Sequence, residues 1–136
     1  HYRTKQEPES TALIGYSLGG LVSIYSLYTC NTFGKIGSLS GSMWFEGWID
    51  FMLTNMPADT GAEVYLSLGK GEERIRNQQM AKVGECTRKA AEILKRQLTS
   101  SENVALEWNN GGHFTEIPQR FEKAFLWLMT RNHTVS

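Results

Sequence analysis

A serine, a histidine and several carboxylates are spaced along this chain in a way that could perform nucleophilic catalysis. Ser17 lies in Gly15-Tyr16-Ser17-Leu18-Gly19, directly after an apolar run and directly before a helical pattern. A serine at such a strand-to-helix turn presents its hydroxyl above the end of a sheet, where the helix N-terminus favours developing negative charge. Ser17 is therefore the candidate nucleophile, and the backbone N–H of Leu18 is a candidate oxyanion donor.

Glycines flank this serine on both sides. We expect a side chain at Gly15 or Gly19 to collide with the neighbouring strand or helix, and Gly20 to let the helix pack closer still. The alternative is a glycine-rich turn that only connects a strand to a helix. The apolar strand before the motif and the amphipathic helix after it favour the catalytic interpretation.

A serine nucleophile needs a base, and the base needs an orienting group. Of the three histidines, only His113 follows a predicted strand, in the turn Gly111-Gly112-His113, where its ring could reach Ser17 or merely stack on Phe114. The other two histidines lie at the amino terminus and in a polar tail. His113 is therefore the candidate base.

The acid that orients this base has several candidates. Glu72 and Glu73 follow the last strand but one, just after the turn that begins at Gly69. The turn favours Glu72 as the carboxylate that faces the base, whereas Glu73 suits the exposed first turn of the next helix. Asp50 and Asp59 are the remaining alternatives.

Four strand–helix repeats must position these side chains. Strands are predicted at 11–16, 35–40, 63–68 and 104–109, and helices at 18–28, 43–56, 74–98 and 117–130. This alternation predicts an α/β fold, with a mostly parallel sheet of about four strands and flanking helices. Because polar sites gather at the carboxyl ends of parallel strands, Ser17, the loop 40–42, Glu72 and His113 are expected on one rim.

Helical spacing also predicts which side chains face the sheet. The inward stripes are expected to comprise Leu21, Ile24, Tyr25 and Tyr28 in the first helix, Met80, Val83, Thr87, Ala90, Leu94 and Leu98 in the third, and Phe121, Phe125, Leu128 and Met129 in the last.

Composition excludes several classes of function. The 136 residues suffice for one domain, and 14 Lys and Arg balance 14 Asp and Glu, so no net field recruits nucleic acid or an anionic membrane. No apolar run approaches the ~20 residues of a membrane span. Cys30 and Cys86 are expected as reduced thiols in helices, which fits a cytoplasmic setting, and no spacing suggests a metal site or an organic cofactor.

Several blocks together resemble those of a serine esterase family of the α/β-hydrolase fold, in the expected order and over nearly the whole chain. That family includes enterochelin-esterase-like siderophore hydrolases, feruloyl-esterase-like enzymes and S-formylglutathione hydrolase relatives. The resemblance implies hydrolysis of a small-molecule carboxylic ester without a cofactor, with Ser17 as nucleophile, Glu72 as acid and His113 as base. The blocks are Tyr2-Arg3-Thr4, Gly15 to Leu21, Phe33-Gly34, Ser40-Gly41-Ser42-Met43-Trp44 and Gly111-Gly112-His113-Phe114.

The resemblance also implies that further strands precede the Ser17 turn in this fold and that their loops carry the second oxyanion donor. Residues 1–136 offer no candidate for that donor, and the chain begins at His1 rather than Met. We therefore expect a single partial domain, the C-terminal half of an α/β-hydrolase without its N-terminal strands. Its bare sheet edge could pair with the missing segment or with a second copy.

The loop after the second strand is implied to border the substrate pocket. The expected pocket residues are Tyr16, Ser40, Ser42 and Trp44. Phe45 and Trp48 could extend an aromatic wall for an aryl acyl group, although packing of a helix against the sheet also explains them. Two other functions stay open: a non-catalytic α/β-hydrolase-like binding domain, and acyl transfer to an alcohol by the same three side chains, as in the related mycolyltransferases.

Overall fold

The computed structural model describes residues 12–30, 32–74, 82–113 and 115–130, without the side chains of residues 73 and 74. The strands are β1 (Ala12–Tyr16), β2 (Lys35–Leu39), β3 (Glu63–Gly69) and β4 (Val104–Asn109). The helices are α1 (Leu18–Thr29), α2 (Trp48–Thr54), α3 (Val83–Gln97) and α4 (Ile117–Thr130), with 3-10 turns at Lys70–Arg74 and Ser101–Asn103. Within these ranges no helix combines the length and the apolar character needed to cross a membrane.

The four strands form one parallel sheet in the order β1-β2-β3-β4. Each strand pairs with the next one along the chain, and helices α1, α2 and α3 connect them. Parallel pairing brings all four carboxyl ends to the same edge, which is where chemistry gathers in such sheets. The predicted α/β class and the predicted parallel sheet are confirmed.

The two faces of the sheet carry different cores. In β3, Val64 and Leu66 join the larger cluster, which also contains Leu21 and Ile24 of α1 and Leu94 of α3. The alternate residue Tyr65 joins a smaller cluster with Leu39 of β2 and with Ala124 and Leu128 of α4. Because side chains alternate across a strand, the first three helices cover one face and α4 covers the other.

The inward stripe predicted for the last helix is wrong at two positions. Phe125 is 52% exposed and Met129 is 39% exposed, whereas the buried residues are Arg120, Ala124 and Leu128. The prediction assumes that the largest apolar side chains of this helix face the sheet. The helix instead turns a small residue to the closely packed sheet and places a cation behind the site described below.

Two further expectations are wrong on the face of the sheet that α1, α2 and α3 cover. Tyr25 of α1 is exposed, and Leu27 occupies the buried position instead. The helix predicted over 43–56 contains only α2, because residues 43–47 form turns and Gly47 has a φ of 83°, a left-handed conformation that glycine adopts without strain. In the third helix, Met80 lies outside the described residues, and the other predicted inward positions of that helix are buried.

Candidate active site

Ser17 occupies an unusual backbone conformation between β1 and α1. Its φ of 63° and ψ of −123° are rare for a residue with a side chain, so the surrounding contacts must hold them. The Ser17 N–H donates to the Leu39 carbonyl at 2.8 Å, and the Ser17 carbonyl accepts from the N–H of Ser42 at 3.2 Å. Both contacts come from β2 and the loop after it. The turn is therefore fixed by the neighbouring strand as well as by its own helix.

The two glycines that flank Ser17 have different roles. A Cβ built on Gly15 would lie 2.1 Å from the carbonyl oxygen of Gly19, whereas a Cβ on Gly19 meets nothing within 4 Å in the described part of the chain. The collision expected at Gly15 is thus present, and the one expected at Gly19 is absent. Gly20 is also needed, because its Cβ would lie 2.9 Å from the Cα of Gly41.

This difference gives a matched pair of variants for stability. Gly15→Ala is expected to lower the free energy of unfolding by about 3 kcal/mol, because backbone atoms of the motif must move apart to admit a methyl group. Gly19→Ala is expected to be neutral or to add up to about 1 kcal/mol, since alanine favours the helix. Urea unfolding of both variants measures the difference. Equal losses in the two variants would contradict the geometry described here.

A line of hydrogen bonds joins three side chains from three strand ends. The Ser17 Oγ lies 3.0 Å from the His113 Nε2, and the His113 Nδ1 lies 2.8 Å from the Glu72 Oε1. With the proton on Nδ1, the imidazole donates to the carboxylate and offers a lone pair on Nε2 to the serine hydroxyl. Glu72 is buried, whereas the His113 side chain is partly exposed.

The loops that carry Glu72 and His113 pack directly on each other. The Gly71 N–H donates to the Gly111 carbonyl at 2.8 Å, and a Cβ on Gly69 would lie 2.6 Å from that same carbonyl oxygen. The Gly69 N–H donates to the Glu72 Oε2 at 2.8 Å. The glycines therefore allow the close approach that lets Glu72 reach His113. The backbone of residue 73 continues the 3-10 turn, but its side chain lies outside the described part.

Tyr16 contacts His113. Its ring centroid lies 4.9 Å from that of His113 with the planes tilted by 32°, and its hydroxyl donates to the His113 carbonyl. Burial raises the pKa of Tyr16; Arg120 opposes this shift and the Glu72 charge adds to it. The hydroxyl therefore stays protonated and available as a donor. Stacking of His113 on Phe114 cannot be described, because residue 114 lies outside the described ranges.

The predicted pocket residues differ in burial within the part of the chain that the structure describes. Ser40 is 1% exposed and donates its hydroxyl to the Glu72 Oε2 at 2.5 Å, so its side chain faces Glu72 in the interior. Ser42 is buried as well, and Trp44 is partly buried. An apolar cavity of about 300 Å³ lies between α1 and the start of α2. Its lining includes Leu21, Val22, Tyr25, Phe45, Trp48 and Phe51.

Arg120 of α4 is a member of this site that the sequence interpretation missed. It is 2% exposed, and one terminal nitrogen of its guanidinium donates to the Ser40 hydroxyl and lies 4.0 Å from the Glu72 Oε2. Its spacing could have indicated that it is buried, because Arg120 lies four residues before Ala124 and eight before Leu128 and so shares one helical face with them. An arginine in an otherwise buried stripe requires buried partners.

Leu18 begins α1, so its backbone N–H has no carbonyl within the helix to which it can donate. It adjoins Ser17 at the positive end of the helix dipole, where an oxyanion would be stabilised. Across the described ranges, no group of three or more His, Cys, Asp or Glu side chains is arranged to hold a metal ion.

Comparisons with known proteins identify the family of the chain. The sequence model of the Esterase family, described as "Putative esterase", matches residues 1–126. "Uncharacterized protein YbbA" of Bacillus subtilis is 28% identical over 137 residues, which cover 98% of this chain and 55% of that protein. The chain thus spans about half the length of the curated relative it matches.

Solved structures share the fold at low sequence identity. The enterobactin esterase FES from Shigella flexneri has a TM-score of 0.72 at 18% identity, covering 91% of this chain and 32% of that one. The siderophore hydrolase EstA from Aspergillus nidulans has a TM-score of 0.62 at 21% identity, covering 88% of this chain and 47% of that one. These likenesses support the α/β-hydrolase fold for the described part of the chain.

Proposed function

The chain belongs to the esterase family, and on that premise we propose that it hydrolyses a carboxylic ester through an acyl-enzyme formed on Ser17. In this proposal His113 is the general base and Glu72 is the acid that orients it. The observation that carries the proposal is the line of hydrogen bonds from the Ser17 Oγ through the imidazole to the Glu72 Oε1. Nucleophile, base and orienting group stand within hydrogen-bond distance in the order that the chemistry requires.

In the first half of the reaction, the Ser17 Oγ attacks the ester carbonyl carbon while the His113 Nε2 takes its proton. The resulting imidazolium is stabilised by the Glu72 carboxylate, and the Leu18 N–H donates to the oxyanion. When the tetrahedral intermediate collapses, the C–O bond to the alcohol breaks. The alcohol oxygen receives the proton from the His113 Nε2, which leaves the acyl group on Ser17.

In the second half, water takes the place of the alcohol. The His113 Nε2 removes one proton from the water, the hydroxide attacks the acyl carbon, and the proton returns to the Ser17 Oγ as the carboxylic acid leaves. The strained turn at Ser17, with a φ of 63° and a ψ of −123°, supports both halves, because a serine at such a strand-to-helix turn presents its hydroxyl beside the helix N-terminus.

We propose further that residues 1–136 form the C-terminal part of a larger esterase domain. This is supported by the chain's span of 55% of its curated relative and of 32% and 47% of the two solved structures named above. The second oxyanion donor would then come from a segment outside the chain. The same three side chains would serve acyl transfer to an alcohol, and product analysis with a competing alcohol separates the two reactions.

A fluorophosphonate probe tests the nucleophile directly. We expect the natural full-length protein to be labelled covalently on Ser17, because a phosphonate accepts a serine oxygen that a neighbouring imidazole activates. Ser17→Ala should abolish labelling. Ser26→Ala should leave it unchanged, since the Ser26 hydroxyl bonds only within its helix in the described part, to the Ser23 carbonyl at 2.7 Å. Labelling that survives Ser17→Ala would remove the assignment.

A further inference from the structure

Arg120 is a buried cation that the proposed mechanism does not use. Its side chain is 2% exposed, and its guanidinium lies between the sheet and the start of α4. The two terminal nitrogens reach three groups on different segments. One nitrogen donates to the hydroxyls of Ser40 and Ser67, the latter at 3.3 Å, and the other donates to the His113 carbonyl at 3.5 Å.

Folding alone gives little reason for a cation at this position. Ala124 and Leu128 show that the same helical face accepts apolar side chains, and a buried charge carries a large desolvation penalty. The Arg120 Nε is also buried without a hydrogen-bond partner among the described residues. An apolar residue of similar volume would avoid both costs. The contacts of the guanidinium must therefore explain its presence.

The first of these contacts determines how the acid is held. The two Glu72 oxygens are divided, because Oε1 faces His113 and Oε2 accepts from the Gly69 N–H and the Ser40 hydroxyl. A hydroxyl has one proton to donate. By donating to the Ser40 Oγ, the Arg120 guanidinium leaves that proton directed at Glu72. The carboxylate is thereby fixed on one side and free to serve the imidazole on the other.

The second contact determines how the base is held. The His113 carbonyl accepts from the Arg120 guanidinium on one side and from the Tyr16 hydroxyl on the other. One planar group therefore bridges the acid, through Ser40, and the backbone that carries the base. A guanidinium can do this because its donors form a rigid fork, whereas a lysine ammonium is a single point of charge.

We propose that Arg120 is a positioning residue. It fixes the loop that carries Glu72 relative to the loop that carries His113, so that the imidazole stays aligned with Ser17. This inference rests on the proposed function. It assigns Arg120 no contact with the substrate. The predicted consequence is a loss in kcat with little change in KM, because misalignment of reacting groups slows the chemical step without removing a binding contact.

The test compares Arg120→Met and Arg120→Lys in the natural full-length protein. A fluorophosphonate first counts the active sites that each preparation retains, and kcat is then expressed per counted site. We expect kcat per site to fall about 10- to 100-fold in Arg120→Met and by a smaller factor in Arg120→Lys, with KM within about twofold of wild type. Lys123→Met is the matched control, because Lys123 is an exposed cation on the same helix paired with Glu107 at 3.1 Å.

The site count separates positioning from a structural role. Arg120→Met with fewer sites but a wild-type kcat at each site would overturn the inference, since arginine would then serve folding alone. If Arg120→Met yields no folded protein, Arg120→Lys decides, and a wild-type kcat per site in that variant overturns the inference. A loss of similar size in Lys123→Met also overturns it. The proposed function fails separately, by probe labelling at a residue other than Ser17, and that result overturns both.

Discussion

Replacing His113 with alanine is expected to lower kcat for an ester substrate about 10⁴- to 10⁶-fold, with a similar loss in Ser17→Ala. The physical reason is that the two side chains perform one step together. Without the imidazole, the Ser17 hydroxyl has no acceptor for its proton at 3.0 Å, and without the hydroxyl the imidazole has no nucleophile to activate. The double variant should therefore be no slower than either single variant.

Steady-state kinetics on the three variants measures this non-additivity. Asn110→Ala is the control for His113→Ala, because Asn110 is exposed in the same loop. It should retain wild-type kcat. Losses that multiply in the double variant would mean that Ser17 and His113 act in separate steps, and the proposed mechanism would be wrong. We expect each variant to keep the wild-type unfolding temperature, since neither side chain is part of the apolar core clusters, and the loss of activity then belongs to the site.

Replacing Glu72 with glutamine is expected to lower kcat about 10³- to 10⁴-fold, although the shape of the side chain is kept. The Gly69 N–H donates to the Oε2 position at 2.8 Å and cannot act as an acceptor, so the amide oxygen of glutamine must take that position. The amide NH₂ then faces the His113 Nδ1. The imidazole must accept there and carry its proton on Nε2, where it can no longer take the proton of Ser17.

Glu73→Gln is the matched control for this prediction, and we expect its kcat to stay within about twofold of wild type. It also resolves the choice between the two neighbouring carboxylates that the sequence left open. A large loss in Glu73→Gln with an unaffected Glu72→Gln would transfer the role of the acid to Glu73. A small loss in both variants would mean that neither carboxylate orients the base.

The strands were predictable because their signals are local. Each is a short run that contains apolar residues, with glycine, serine or asparagine at or just after its end, and for β4 the predicted range 104–109 coincides with the observed Val104–Asn109. Parallel pairing then requires that the residues after the strands share one edge. For this reason the sequence predicts that Ser17, Glu72 and His113 lie close together. In the structure, Ser17 and Glu72 each lie within hydrogen-bond distance of the His113 imidazole.

What the sequence could not predict depends on contacts between distant segments. Helical spacing could place Arg120 on one face with Ala124 and Leu128, but the contacts of its guanidinium with Glu72 and Ser40 join segments far apart in the sequence, which no local pattern reveals. The inward positions expected for Phe125 and Met129 are wrong because the expectation assumes that the largest apolar side chains of the helix face the sheet. The resemblance implies that Ser40 borders a pocket, whereas its φ of 49° and its hydrogen bond to Glu72, which the sequence does not reveal, direct its side chain to the interior.

The sequential order of the sheet has a consequence for how the protein is made. Because each strand pairs with its predecessor along the chain, a polypeptide leaving the ribosome can add one strand at a time to the growing edge. His113 follows β4, the last of the four described strands in the sequence, and lies 96 residues after Ser17. Under the proposed mechanism, Ser17 of the nascent chain therefore lacks its base until synthesis has passed β4.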